Sequence, residues 1–231
     1  MARTVNAVAH AARRQEFVDA AVRLAREKGY ERLVIGDVLA EVGASKGAFQ
    51  HYFESKDALL AAVVERTVEE AIGAAANAAM QPSLAPLDRL HALFGGIQGW
   101  KAARPEYEPD VIAASLRTWF SDENRVLVER MRATTAARLT PVLAAILTAG
   151  SADGSFSLTD PAGSASVVTS LLLALNEQAA LLFLGRRDDS VSLPTVMRTL
   201  AAYGDALERI LGLPKGSWHF TDEDAARGWF G

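Results

Sequence analysis

Between Gly43 and Lys56, side chains that can bind a polyanion alternate with side chains that can anchor a helix. The run Ser45-Lys46-Gly47-Ala48-Phe49-Gln50-His51-Tyr52-Phe53 carries a cation, an amide, an imidazole and a phenol. Lysine binds phosphate, and glutamine can hydrogen-bond the N6 and N7 atoms of adenine. Phe49 and Phe53 are four positions apart, so both can point inward from one helical face. The pattern predicts a helix that presents polar side chains to a nucleic acid.

Two short helices around a glycine turn are predicted to hold that row of side chains. Val38 and Val42 give the first helix one apolar face, and Gly43 can take the left-handed conformation that ends it. Ser45 can cap the second helix through its hydroxyl, and Ser55 can cap the helix that follows. The second helix of such a helix-turn-helix fits a DNA major groove. An ordinary helical hairpin whose polar residues only face solvent is the alternative.

The segment from about residue 13 to residue 64 resembles the DNA-binding domain of the tetracycline-repressor (TetR) family. The resemblance is carried by an amphipathic helix, a Gly-Tyr pair and the motifs around the turn: residues 15–28, 29–30, 37–39, 43, 45–53 and 55–60. It implies an all-α fold. An N-terminal three-helix helix-turn-helix head is expected over residues 11–72, and a C-terminal helical bundle for ligand binding and dimerisation over residues 83–212.

The resemblance also implies which residues meet DNA and what the chain does. The predicted DNA-contacting residues are Arg13, Arg14, Ser45, Lys46, Gly47, Ala48, Gln50, His51, Tyr52 and Lys56. Two heads of a homodimer would read a near-palindromic operator in double-stranded DNA. A small-molecule effector would shift the population of head positions and release the operator. Repression is implied by the resemblance, whereas the sequence does not separate a repressor from an activator.

Two positions depart from the family's pattern. Where the family usually has a capping Ser or Thr before the first motif helix, this chain has Leu33-Val34-Ile35, so that helix start relies on packing. Where the family usually has an aromatic residue, this chain has Gln50, so operator preference cannot be carried over. The role of Tyr52 stays open between a phosphate contact and packing over Phe17.

Composition and charge restrict the other classes of function. The 231 residues are 50% hydrophobic and 23% charged, which is typical of an ordered globular protein. The absence of cysteine excludes disulfides and thiolate chemistry, and the four scattered histidines predict no metal site. No nucleophile, base and orienting acid fall into a pattern, so neither an enzyme nor a cofactor is expected. The first residues lack the apolar core of a signal peptide, so a cytoplasmic location is expected.

Charge segregates weakly along the chain. The net charge is −4, of which residues 1–66 contribute +1 and the remainder −5. A head with so little excess charge predicts focused phosphate contacts rather than a broad basic field.

Helices are predicted over residues 86–103, 109–120 and 121–149, over an apolar stretch at 167–184, and lastly over 193–211. Pro141 is expected to kink the third of these or to begin a new segment. Residues 1–10 are expected to form a loose arm.

The helices over 167–184 and 193–211 carry more apolar surface than one subunit can cover, so we expect them to form a four-helix dimer core, with Leu200 in the seam. Small residues would let a second helix approach closely: Ala201, Ala202 and Gly204. The run Asn176-Glu177-Gln178 would be costly in lipid and argues against a membrane span. These polar side chains need partners, which a ligand, the other subunit or water can supply.

The C-terminal domain is expected to enclose a small apolar or amphipathic ligand beside the Pro141 kink. The candidate ligand-binding residues are Phe94, Trp100, Trp119, Met131 and Asn176. The alternative function is a helical small-molecule-binding protein that has lost specific DNA recognition, which Gln50 and the missing cap leave open.

Overall fold

The computed structural model describes residues 2–29, 32–102, 109–120, 125–221 and 223–230, and the regular elements in these ranges are helices. In chain order they are α1 (Ala2–Lys28), α2 (Ile35–Val42), α3 (Lys46–Gln50), α4 (Lys56–Ala79), α5 (Pro86–Ala102), α6 (Pro109–Trp119), α7 (Arg125–Ala152), α8 (Pro161–Arg187), α9 (Leu193–Leu211) and α10 (Glu223–Phe230). The all-α prediction is confirmed. The predicted helix end at Ala103 and helix start at Ser121 lie outside the described residues.

The chain forms two compact units. The first is Met1–Glu70 together with Thr118–Thr134, and the second is Ala71–Arg117 together with Thr135–Gly231. Helices α4 and α7 each begin in the first unit and end in the second.

The first unit has a core built on one face of α1. Its largest fully buried members are Phe17, Val18, Leu33, Val38 and Leu59. Each such side chain contributes roughly 1.5–3 kcal/mol by leaving water. This core fixes α2 and α3 against α1. It thereby positions the polar side chains predicted between Ser45 and Tyr52, which are called the polar row below.

The second unit is centred on α7, α8 and α9. The buried hydrophobic residues of these helices are Leu139, Leu143, Ile146, Leu147, Ala165, Val168, Leu172, Leu175, Leu182, Phe183, Val196, Leu200, Leu207 and Leu211. The hydroxyl groups of Thr140 and buried Thr169 lie 2.9 Å apart, and this hydrogen bond joins α7 to α8. Asp160 caps α8 by accepting the N–H of Gly163 at 2.9 Å, as its position before Pro161 predicts.

A C-terminal segment after α9 completes the second unit. Arg186 of α8 donates to the carbonyl oxygen of Phe230 at 2.7 Å and to that of Val191 at 3.0 Å. The indole of Trp218 is buried, with 3% of the residue exposed, and its ring centre lies 4.5 Å from the His91 ring in a parallel stack. The prediction that the helix over 193–211 is the last one is therefore wrong, because α10 follows it.

Three further expectations need correction. Residues 2–10 are helical rather than a loose arm, because they are rich in alanine and contain neither glycine nor proline to stop α1. Of the two expectations for Pro141, only the start of a new segment is wrong, because helix α7 continues through it with buried residues on both sides; the kink stays a prediction. Leu200 is only 8% exposed and packs against Leu175, Leu182 and Val196 of the same chain rather than facing outward.

By length and composition alone, α7 and α8 are both apolar enough to cross a membrane. Core helices of soluble proteins meet the same criteria. Near its middle α8 exposes Asn176 and Glu177, which would be costly in lipid.

Candidate DNA-binding site

Helix α2 ends in the predicted glycine turn. Gly43 has φ 65° and ψ 40°, the left-handed conformation, and the N–H of Ala44 reaches back to the carbonyl oxygen of Leu39 at 2.9 Å. At the other end, Val34 occupies the N-cap position and makes no side-chain capping bond. The missing cap predicted from the sequence is confirmed, and the start of α2 is held by packing of Val38 instead.

Helix α3 begins at a serine cap and is anchored by two phenylalanines. The hydroxyl of Ser45 accepts the N–H of Ala48 at 3.2 Å. Phe49 and Phe53 are both 3% exposed, and their ring centres lie 5.7 Å and 6.3 Å from that of Phe17, edge to face. These contacts fix the rotation of α3 about its axis, so the opposite face is turned to solvent.

The predicted DNA-contacting residues of the motif are brought together on that outer face. Lys46, Gly47, Gln50 and His51 are exposed, as is the capping residue Ser45. Two members are half-buried, Ala48 and Tyr52, and the Tyr52 ring packs over Phe17 with the centres 5.5 Å apart. Of the two roles left open for Tyr52, packing over Phe17 is therefore observed.

The two arginines of α1 that were predicted to contact DNA, Arg13 and Arg14, are held by other residues of the first unit. Arg13 pairs with Glu16, points a second nitrogen towards the carbonyl oxygen of Val42 at 3.5 Å, and lies over the Phe17 ring. The guanidinium of Arg14 lies over the ring of Phe53. Both charges are thus engaged with the protein.

Ion pairs neutralise other cations of the first unit. Arg23 pairs with Glu41 at 2.7 Å, and Lys28 pairs with Asp37 at 2.9 Å, which raises the pKa of Lys28. Within the part of the chain that the structure describes, Lys46 and Lys56 have no carboxylate partner. Lys56 begins α4, whose N-cap Ser55 accepts the N–H of Ala58 at 3.1 Å, as predicted. Lys46 and Lys56 therefore leave two positive charges, at the starts of α3 and α4, that can bind an anion.

The predicted ligand-binding residues are scattered over the structure. Phe94 packs edge to face on Trp218 with ring centres 5.1 Å apart, Asn176 is exposed on α8, and Met131 belongs to the first unit. The side chains of Trp100 and Trp119 lie outside the described part of the structure. Among the described residues, no group of three histidine, aspartate or glutamate side chains is placed to hold a metal ion.

Two residues with unusual surroundings were missed from the sequence. The indole Nε1 of buried Trp218 has no hydrogen-bond partner among the described residues. His10 contacts the end of the polar row, although its only mark in the sequence is its place upstream of Arg13 and Arg14. The surroundings of neither residue have a local sequence signal, because Trp218 stacks on His91 and His10 contacts His51 and Tyr52, all distant along the chain.

The polar row lies inside a region shared with known proteins. Residues 17–63 match the family model described as bacterial regulatory proteins, tetR family. The HTH-type transcriptional regulator BetI of Brucella suis biovar 1 (strain 1330) is 29% identical over 127 residues, which are 55% of this chain and 62% of that relative. The match thus spans less than two thirds of the length of this curated relative.

Solved structures share the fold over nearly the whole chain. RolR in complex with the ligand resorcinol has a TM-score of 0.57 at 17% identity, covering 96% of this chain and 94% of RolR. A TetR transcription regulator from Haloarcula marismortui ATCC 43049 has a TM-score of 0.54 at 23% identity, covering 85% of this chain and 98% of its own. The segment similar to bacterial regulatory proteins of the tetR family, residues 17–63, therefore contains the capped and anchored helix α3 together with α2 and the glycine turn.

Proposed function

We propose that the chain is a cytoplasmic, homodimeric regulator that binds a near-palindromic operator through α3 and is released from it by a small molecule. The observation that carries the proposal is the exposed row of Lys46, Gln50 and His51 on a helix whose inner face is locked by Phe49 and Phe53. In a helix-turn-helix this face enters the major groove. Lys46 and Lys56 hold the backbone phosphates, and Gln50 reads a base edge.

The surface of α8 supports the homodimer. Its exposed apolar residues include Val167 and Leu181, at 54% and 46% exposure. Leu171, Ala174 and Gln178 lie between them at alternating steps of four and three residues. This is the spacing of a helix seam that packs against a partner helix. A second copy of α8 would cover the stripe, with exposed Ala201 and Ala202 of α9 allowing close approach.

The effector is proposed to be a small apolar or amphipathic molecule bound in the second unit. The RolR complex with resorcinol supplies a candidate class, small hydroxylated aromatic compounds, from a protein with the same fold. Of the candidate residues predicted from the sequence, Phe94, Trp100 and Asn176 belong to this unit, whereas Trp119 and Met131 belong to the first. Linkage requires that an effector which lowers operator affinity binds more weakly to the operator complex by the same factor.

Selection of duplexes from a random pool by the full chain tests the proposal. We expect enrichment of a sequence with two related half-sites about one helical turn apart, because a symmetric dimer presents two recognition helices. Equal affinity for enriched and starting pools at every salt concentration would favour the alternative, a helical ligand-binding protein that has lost specific DNA recognition. A titration of resorcinol with and without the selected duplex then tests the switch.

A further inference from the structure

The part of α1 that precedes the family-matched segment contacts the end of the recognition helix. The match begins at Phe17, whereas α1 begins at Ala2. The Nε2 atom of His10 lies 3.4 Å from the carbonyl oxygen of His51, the residue that ends α3. The His10 ring centre lies 4.7 Å from that of Tyr52, with the planes tilted by 38°. One side chain thus contacts two neighbouring residues of the proposed DNA-binding face.

His10 belongs to a stripe along α1 that supports α3. His10, Arg14 and Phe17 are separated by four and three residues, so they share one face of the helix. Tyr52 contacts both ends of this stripe, His10 and Phe17, while Arg14 lies over Phe53. The orientation of the Tyr52 ring is therefore set from α1 rather than from within α3.

The hydrogen bond also determines which nitrogen of the His10 imidazole carries a proton. A carbonyl oxygen only accepts, so His10 must carry a proton on Nε2 to bond it. The carbonyl of His51 lies where a helix ends, and carbonyls there lack partners within the helix. His10 therefore gives the end of α3 a donor and gives Tyr52 a ring to pack against.

We propose that His10 is a positioning residue for DNA recognition: it orients Tyr52 and the end of α3 without contacting DNA itself. The inference rests on the proposed function, since this orientation matters only if α3 meets DNA. A side chain that is already held in place in the free protein loses less conformational entropy when DNA binds. Loss of His10 should therefore weaken binding to the selected operator, where side chains must match their partners, more than binding to unselected DNA.

Three variants separate the two contacts of His10. His10→Phe keeps a ring against Tyr52 but removes the donor, His10→Gln keeps an N–H but removes the ring, and His10→Ala removes both. Each is tested on the tightest duplex that the unmodified chain selects and on an unselected duplex of equal length. We expect His10→Ala to lower the affinity for the selected duplex by about tenfold and the affinity for the unselected duplex by less than about twofold. His10→Phe and His10→Gln should each lower the affinity for the selected duplex by a smaller factor than His10→Ala does.

Salt dependence and a double-mutant cycle distinguish positioning from other roles. The slope of log affinity against log salt should not change in His10→Ala, because no phosphate contact is lost. If His10 acts through Tyr52, His10→Ala should lower the affinity for the selected duplex by less than about threefold when Tyr52→Phe is already present.

Each contrary outcome has a definite meaning. A slope smaller by about one would make His10 a phosphate contact. Equal losses on both duplexes with a lower melting temperature would make it a stabilising residue only, and unchanged operator affinity would give it no role. Each of these overturns the inference while the proposed function stands. If the unmodified chain selects no duplex, the proposed function fails and the inference fails with it.

Discussion

The guanidinium carbon of Arg14 lies 4.7 Å from the centre of the Phe53 ring, in the geometry of a cation–π contact. Phe53 directly follows the polar row, so a residue of α1 lies against one of the two phenylalanines that hold α3 in place. The charge of Arg14 is thereby used within the protein.

Arg14→Leu should lower stability without changing the electrostatic part of DNA binding. Loss of the cation–π contact is expected to reduce the free energy of unfolding by about 0.5–1 kcal/mol. The slope of log affinity against log salt should stay as in the unmodified chain. Urea denaturation and a salt titration check the two parts, and a slope smaller by about one would show that Arg14 also binds a phosphate.

Lys46→Ala and Gln50→Ala should affect DNA binding in different ways. Lys46 is exposed at the start of α3, so its loss should weaken all duplexes similarly and reduce the salt slope by about one. Gln50→Ala should relax base preference at one or two positions with the slope unchanged. Repeating the duplex selection with each variant measures both effects. If the Gln50 variant keeps the original preference, Gln50 contacts only the backbone of DNA.

The uncapped start of α2 offers a stabilising substitution. Val34 is the N-cap residue, is 50% exposed and makes no capping bond. Val34→Ser should raise the free energy of unfolding by about 1 kcal/mol, because the hydroxyl can accept an N–H of the first turn. The existing cap gives the matched control, since Ser45→Ala should lower it by a similar amount. A Val34→Ser variant no more stable than the unmodified chain would show that α2 gains nothing from a cap.

Glu208 should make the stability of the second unit depend on acidity. Its buried carboxylate accepts the backbone N–H of Trp218 at 2.8 Å, and this bond, with those from Gly216 and Ser217 and the nearby charge of His219, lowers the pKa of Glu208. Because the folded-state pKa is the lower one, the stabilisation is complete above the unfolded-state pKa. It is lost as the pH falls through the folded-state pKa.

Glu208→Gln tests this dependence, since glutamine keeps an acceptor oxygen but does not titrate. Thermal melts of both chains across the acid range should show that the unmodified chain loses stability more steeply on acidification. Parallel melting curves for the two chains would contradict the assignment to Glu208.

Substitutions at two leucines distinguish the proposed dimer seam from the core of the subunit. Leu181→Glu places a charge on the exposed stripe of α8 and should give a folded monomer. Leu200→Glu places one inside the subunit and should instead lower the melting temperature, because the charge would be buried without a partner. Sedimentation and circular dichroism measure the two outcomes. An unmodified chain that is already monomeric at micromolar concentration would remove the basis for the seam.

Local signals in the sequence were sufficient to predict several helix boundaries. The caps at Ser45, Ser55 and Asp160 and the turn at Gly43 follow from side chains that bond their own neighbouring backbone. Such bonds span three or four residues, so a pattern of that length contains them.

Features that depend on distant parts of the chain were not predictable in this way. Leu200 belongs to an apolar stripe, and only the packing of α8, α9 and the C-terminal segment decides whether it faces its own chain or a partner. Likewise, the stack of Trp218 on His91 joins residues from opposite ends of the second unit's sequence. Apolar periodicity shows that a face is covered, but it does not identify what covers it.

The first unit is not continuous along the chain. Residues 118–134 belong to it, and Arg130 of α7 donates to the carbonyl oxygen of Asp57 in the first turn of α4 at 3.2 Å. A chimaeric regulator built to carry the proposed DNA-binding face of this protein therefore cannot be assembled with a single splice after residue 70. It would need a second exchanged fragment covering residues 118–134, so that Arg130 and the first turn of α4 both come from this protein.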